Sequence, residues 1–277
     1  MINNFLIEIF LTITGVGAVS GLHYENNTLF LISDNSNYLY TYRIPESKLD
    51  RYLLYEGKDN NEQVKKSEKL DMESVFKNNN EFYVFGSGST KNRNHLFRFN
   101  PDRPSVVKHQ KMAKKLDQIK KSIAIADEDF NIEGSFIYED YFYLFNRGNG
   151  PGNRNGIILV DKWFKKPAQF FPVSLPHYEQ GIAGFTDAIR IDNIIYFLAA
   201  IEETKSTYED GEKGGSLFGK MNLATREILE LKMISKTHKF EGITLMETSD
   251  NDLVFLLCED PDDDSLETTI YKLTIRR

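Results

Sequence analysis

One short phrase, polar at its start and apolar after, recurs five times along the 277 residues. Nothing else in the chain constrains the fold as tightly. Its copies are "VSGLHYENNTLFLIS" from Val19, "DMESVFKNNNEFYVFG" from Asp71, "NIEGSFIYEDYFYLFN" from Asn131, "GFTDAIRIDNIIYFL" from Gly184 and "KFEGITLMETSDNDLVFLL" from Lys239. Each carries a polar anchor: Ser20, Glu73, Glu133, Asp187 and Glu241. By difference of those numbers, successive anchors stand 53, 60, 54 and 54 residues apart. A period of that size is the signature of a solenoid or a propeller.

Every repeat follows one grammar. A short strand follows the anchor, then a turn rich in Asn, Asp or Glu, then an apolar aromatic strand. A polar loop leads to a third strand ("YLYTYRI", "HLFRF", "GIILV", "SLFGKM", "TIYKLTI") and a more variable fourth. Four strands in an antiparallel meander make a propeller blade. Only repeats one to four have their own fourth strand. The fifth reaches Arg277 after its third, and "FLIEIFLTI" near the start supplies the missing one. There Phe5, Ile7, Ile9 and Leu11 alternate with other residues, as a half-buried strand requires. The expected fold is all-β: a five-bladed β-propeller of four-stranded antiparallel blades. It forms one domain, 1–277, with blades near 17–60, 70–113, 130–176, 184–236 and 239–277 plus 4–12. The N-terminal strand joins the C-terminal blade and closes the ring, which removes open sheet edges. The longer second repeat carries "HQKMAKKLDQIKKS", whose spacing permits a short amphipathic helix with Lys on one face.

The net charge of -7 and the pI of 5.4 lack the basic footprint of a general nucleic-acid binder. No stretch has the uninterrupted apolar length of a membrane helix. The single cysteine, Cys258, excludes an internal disulfide and fits a reducing compartment. A cytoplasmic monomer is the expectation. The opening "MINNFLIEIFLTITGVGAVSGL" has a signal-like apolar run, but it lacks a positive start and Glu8 interrupts it.

The first strand of a propeller blade lines the central channel. Five anchors at one offset therefore form one ring: Ser20, Glu73, Glu133, Asp187 and Glu241. Four carboxylates on a narrow ring repel one another unless something positive sits among them. A hard divalent cation resolves the conflict; the alternative is that each carboxylate caps neighbouring backbone N–H groups and stabilises a blade junction, with waters filling the channel. Ca2+ accepts irregular oxygen sets, and Mg2+ fits less well. The five histidines, at 23, 95, 109, 177 and 238, share no zinc-ligand spacing. The second strands return to the same end of the channel, so the loops after them surround its mouth. There Lys91, Arg93, Arg147, Arg154 and Lys205 offer positive charge for an anion. Asp34, Glu202, Glu203, Glu259 and Asp260 offer oxygen ligands or a base for water. The aromatic residues His95, Phe97, Phe170 and Tyr208 are further candidates for contacting a ligand.

The phrases "VSGL", "MES", "IEGS", "GFTDA" and "KFEGI", each before an apolar hairpin strand, resemble the calcium-activated nucleotidases of the apyrase type. The same grammar is similar to the broader phytase-like propeller group. The resemblance spans nearly the whole chain as repeat grammar rather than identity. It implies a five-bladed propeller with one axial calcium held by the five anchors. It also implies an acidic role for Asp34 and a basic one for Arg147. Two departures weaken the nucleotidase reading: Asn35 stands where that pattern has a second acid, and the sole tryptophan, Trp163, lies elsewhere.

The expected activity is a calcium-dependent phosphoester or phosphoanhydride hydrolase acting on a small phosphorylated molecule. Asp34 or Glu203 would be the base, with Arg147 and Lys91 stabilising charge on phosphorus. The alternative is a non-catalytic ligand- or protein-binding propeller whose axial calcium is structural.

Overall fold

The computed structural model describes residues 5–58, 61–202, 206–207, 213–260 and 265–276. In the first four blades the turns rich in Asn, Asp and Glu close two-residue hairpins. Asn26 and Asn27 both have positive φ, 50° and 58°, the conformation of a type I′ turn. Asn79, Glu139 and Asp192 take the same left-handed region in the next three repeats. Five separate sheets result, as the repeats predict.

The first described strand, β1 (Phe5–Thr14), belongs to the last blade. Blade one holds β2 (Val19–Glu25), β3 (Thr28–Ser33), β4 (Tyr38–Arg43) and β5 (Lys48–Leu53). Blade two holds β6 (Met72–Asn78), β7 (Glu81–Gly86), β8 (His95–Phe99) and β9 (Val107–Lys111), followed by helix α1 (Ala113–Ile123). Blade three holds β10 (Ile132–Tyr138), β11 (Tyr141–Asn146), β12 (Gly156–Asp161) and β13 (Gln169–Pro172). A two-residue strand, β14 (His177–Tyr178), adds a fifth member to blade four. The rest of that blade is β15 (Gly181–Ile191), β16 (Ile194–Glu202), β17 (Lys213–Asn222) and β18 (Ile228–Ser235). Blade five holds β19 (Phe240–Thr248), β20 (Asp252–Glu259) and β21 (Glu267–Arg276). It is completed by β1, which pairs antiparallel with β21 from Phe5↔Ile275 to Thr14↔Glu267. The innermost strands touch in a closed circuit, β2 to β6 to β10 to β15 to β19 and back to β2. The molecule is a five-bladed β-propeller.

The core is divided into slabs between neighbouring blades rather than gathered at one centre. Val19, Leu22 and Leu31 of blade one pack on Leu256, Cys258 and Ile270 of blade five. Phe145 meets Phe185 edge-on at 5.1 Å across blades three and four, and Phe185 meets Phe197 in the same way. Helix α1 seals the slab between blades two and three. Its buried Leu116, Ile119 and Ile123 sit with Phe85, Phe130 and Leu144, while Lys114 and Lys121 face outward and Lys120 is buried.

Every innermost strand is bulged at the same place. Register shifts fall between Val19 and Gly21, Met72 and Ser74, Ile132 and Gly134, Phe185 and Asp187, and Phe240 and Gly242. A bulge leaves one residue out of the ladder and re-aims its side chain. The residue before each bulge, Val19, Met72, Ile132, Phe185 or Phe240, is fully buried. The residue after it must be small where blades crowd. A Cβ on Gly134 would come within 2.9 Å of Ala188 N and Asp187 Cα on the next inner strand.

Candidate channel site

The bulged residues are Ser20, Glu73, Glu133, Thr186 and Glu241. Four of the five predicted anchors are therefore ring residues, and in blade four the ring position belongs to Thr186 rather than Asp187. The hydrogen bonds show the equivalence. Ser20 Oγ donates to the carbonyl of Met72 at 2.5 Å, and Thr186 Oγ1 donates to the carbonyl of Phe240 at 2.8 Å. Both acceptors are residues just before the next blade's anchor. Two ring hydroxyls thus tie one inner strand to the next. Asp187 turns into the junction between blades four and five. Its Oδ1 accepts the N–H of Ala188 at 2.7 Å and its Oδ2 that of Ile243 at 2.9 Å. Burial pushes its carboxyl well above the usual range, against the pull of those two N–H groups.

Four basic side chains lie around the ring, and two of them pair with the ring carboxylates Glu133 and Glu241. On the side of blades three to five the order is Glu133, Arg147, Glu202, Lys239, Glu241. Arg147 Nη1 lies 3.4 Å from Glu133 Oε2, and Arg147 Nη2 lies 2.8 Å from Glu202 Oε2. Lys239 Nζ lies 2.9 Å from both Glu202 Oε1 and Glu241 Oε1. Asn131 Nδ2 donates to Glu133 Oε1 at 2.6 Å. All six side chains are buried. On the side of blades one and two, Lys69 bridges Asp34 and Asp71, and Arg93 Nη1 lies 2.7 Å from Asp71 Oδ2. Ser87 Oγ also donates to that oxygen. Glu73 stands between the two networks. No described residue hydrogen-bonds or ion-pairs with its carboxylate.

These groups line a cavity of about 80 Å³. Six carboxylates (Asp34, Asp71, Glu73, Glu133, Glu202, Glu241) face four cations (Lys69, Arg93, Arg147, Lys239), and Lys66 and Asp260 add one charge of each sign. The site holds two more acids than bases. The surplus is seen in the titration of the acids. Burial lifts Glu73 well above the usual carboxylate range, and Asp71, Glu133, Asp34 and Glu241 push it the same way. Burial lifts Glu133 to about 8 despite Arg147. Glu202 moves the other way: burial opposes its charge, but Arg147 and Lys239 outweigh it and hold the carboxyl below the usual range.

The predicted catalytic set is not brought together. Asp34 is held by Lys69, and Arg147 is engaged by two glutamates. Lys91 is exposed and lines a different cavity, between blades one and two. Glu203 lies outside the described residues, as do Lys205 and Tyr208. Glu259 is bound by Tyr271 Oη, which donates at 2.9 Å, and lies 2.9 Å from His238 Nδ1. Arg154 lies over the Phe170 ring at 5.0 Å, and Phe97 is fully buried rather than presented to a ligand. Sequence reasoning missed Lys69, Asp71, Asn131, Thr186 and Lys239. Three of them stand two residues before an anchor, where a polar residue recurs in "DME", "NIE" and "KFE".

Could a cation sit here? Two observations fit one. Glu241 Oε2 is buried without a hydrogen-bond partner among the described residues. Asp34, Asp71 and Glu73 also each bring an oxygen within 4.8 Å of one another. Of the five predicted anchors, Ser20, Glu73, Glu133 and Glu241 line the cavity, whereas Asp187 faces a blade junction.

A family profile described as a family of unknown function, DUF6929, matches residues 15–275. No curated protein matches the chain. Solved structures share the fold. The Malassezia sympodialis allergen Mala s 1 aligns with a TM-score of 0.55 at 10% identity, over 95% of each chain. An exo-1,5-α-L-arabinanase from a bovine ruminal metagenomic library aligns at 0.54 and 10%, over 95% of this chain and 96% of its own. Glutaminyl cyclase from Myxococcus xanthus aligns at 0.52 and 9%, over 99% and 98%. At such identities these likenesses carry the fold alone.

Proposed function

The chain belongs to the DUF6929 family, and from that starting point we propose that it is a cation-pinned binding propeller. A divalent cation, calcium rather than magnesium, would be held at the channel mouth by Glu73 with Asp34 and Asp71, whose carboxylate oxygens lie within 4.8 Å of one another. The observation that carries this reading is the surplus of two carboxylates in a small polar cavity, with Glu73 beside Asp34 and Asp71 and with Glu241 Oε2 lacking a hydrogen-bond partner among the described residues. Calcium tolerates an irregular oxygen set, whereas magnesium demands near-octahedral geometry. Bound there, the ion would neutralise the surplus and offer a positive centre to an oxygen-bearing ligand. Asp34 follows the second strand of blade one and Glu73 lies on the inner strand of blade two, so holding one ion would also fasten those two blades together.

Two physical features argue against phosphate hydrolysis at this mouth. The cavity is far below the ~300 Å³ at which small-molecule pockets begin. Arg147 is already paired twice, and Lys91 faces elsewhere.

Chelator-stripped protein titrated with calcium or magnesium tests the reading by thermal melting. Calcium is expected to raise the melting temperature of the unaltered chain and leave Glu73→Gln unmoved. No calcium-specific rise would sink the proposal. Phosphate release from nucleoside di- or triphosphates in the same samples would favour a hydrolase instead.

A further inference from the structure

Two histidines that the sequence keeps apart meet on the outer half of blade two. His95 opens β8 and His109 lies on β9, and the ladder sets His95 opposite Lys111 and His109 opposite Phe97. The two imidazoles are therefore diagonal neighbours on one face of the sheet. His95 Nδ1 lies 2.8 Å from His109 Nε2, in an exposed contact. Both rings lie nearly flat against Phe97, His95 at 5.8 Å and 9° between planes and His109 at 4.7 Å and 18°. Phe97 is fully buried, and Tyr55 of the neighbouring blade stands edge-on to His109 at 5.4 Å. Packing thus fixes both rings, while His109 stays exposed and His95 half-buried.

Both imidazoles are held in the neutral form. Burial brings His95 down to about 4; His109 and Lys111 push the same way, against a backbone hydrogen bond with Asn92. Burial and Lys111 lower His109 as well. Neutral imidazole is the form that binds a metal. In a neutral pair one ring donates its N–H to the other. A cation entering between them needs only a change of tautomer: the proton moves to the far nitrogen of the donating ring, and two lone pairs are left for the metal. The separation of the nitrogens also selects the cation. With metal–nitrogen bonds of about 2.0–2.1 Å, adjacent ligands of a square-planar centre stand about 2.9 Å apart and those of a tetrahedral centre about 3.3 Å. The 2.8 Å between His95 and His109 matches the first, the preference of copper(II) and nickel(II) rather than of zinc. Among the described residues no Asp, Glu, Cys or further His completes a set of three here, so the remaining positions would go to water.

We propose that His95 and His109 form a two-nitrogen site for a square-planar transition cation, copper(II) before nickel(II). The channel cavity has neither histidine in its lining. Imidazole suits these softer cations, whereas the channel carboxylates suit a hard one. The two sites would therefore take different metals. Lys111 keeps protons off both rings, and its charge sets the affinity below that of a bare pair.

Copper(II) titrated into the metal-free full chain and followed by electron paramagnetic resonance tests the assignment. The first equivalent should give a tetragonal spectrum split by two imidazole nitrogens, and a large excess of calcium should leave it unchanged. His109→Gln should remove one nitrogen from the splitting and weaken binding by about a hundredfold, as loss of one arm of a chelate does. His95→Gln should do the same; should it disturb the packing on Phe97, His109→Gln at its exposed position carries the test alone. His177→Gln, at an exposed histidine of blade four, should change nothing. No bound copper, a spectrum without nitrogen splitting, or one that survives His109→Gln overturns the proposal. Displacement by calcium would put the copper on the channel carboxylates and overturns it as well.

Discussion

Replacing Glu202 by Gln tests whether the channel is held by alternating charges. Glu202 is the hub of its network. Its Oε2 lies 2.8 Å from Arg147 and its Oε1 2.9 Å from Lys239. Its side chain is only 6% exposed, as is that of Arg147, and Lys239 is at 7%. Removing one partner from a buried ion pair costs about 3–5 kcal/mol, because the other charge is left uncompensated. Here each cation keeps a second carboxylate, Glu133 for Arg147 and Glu241 for Lys239. The expected loss is therefore near the lower end, about 3 kcal/mol. At roughly 2–4 °C per kcal/mol for a chain approaching this size, the melting temperature should fall by about 6–12 °C. Urea unfolding should show a lower midpoint with an unchanged slope. Glu73→Gln removes a charge of the same sign that has no partner, so without metal it should leave stability equal or higher. A loss below about 1 kcal/mol for Glu202→Gln would place the pair among weak, solvent-screened bridges and refute the reasoning. Equal losses of stability in the two variants would refute it as well.

Asp187→Ala should cost about 1–3 kcal/mol by leaving the Ile243 N–H unpaired at a blade junction, yet keep the calcium response of the unaltered protein. Loss of that response, measured by melting with and without calcium, would return Asp187 to the ring. Acid should weaken the fold through His23, whose pKa burial lowers from 6.5 to about 4. Between those values the unfolded chain binds more protons than the folded one, so stability falls as pH drops from about 6.5 to 4. His23→Phe, which keeps a ring against Phe82, should flatten that part of a stability–pH curve, and an unchanged slope would count against it.

The blades were legible because a repeat multiplies a weak signal. One alternating segment is ambiguous, but five copies with the same turn chemistry fix strand order and the role of "FLIEIFLTI" together. The ring was legible in four blades. It failed in "GFTDA" because charge was taken as the marker, when the fully buried residue before the bulge is the constant feature. Aligning Phe185 with Val19, Met72, Ile132 and Phe240 selects Thr186. The counter-ions were harder to see. Lys69 and Arg93 flank the first hairpin of blade two, and Arg147 and Lys239 stand 92 positions apart by difference of their numbers. Their meeting at Glu202 is a product of ring closure that no local pattern encodes. Without them, four carboxylates seemed to demand a metal; with them, the demand shrinks to the charge on Glu73 and one oxygen of Glu241.

The pairing of β1 with β21 also has a consequence in time. Phe5 finds Ile275 at the far end of the chain. At the ~5–20 residues per second of synthesis, β1 waits on the order of 13–50 s before its partner exists. Through that wait it is an unpaired strand with Leu6 and Ile9 on its outer side, the kind of surface on which nascent chains stick to one another. Glu8, which later meets Lys272 at 3.1 Å, stands between those two residues. A lone charge inside an apolar strand is a gatekeeper against such self-association. Glu8 thus sets a charge inside the apolar segment whose partner strand is made last.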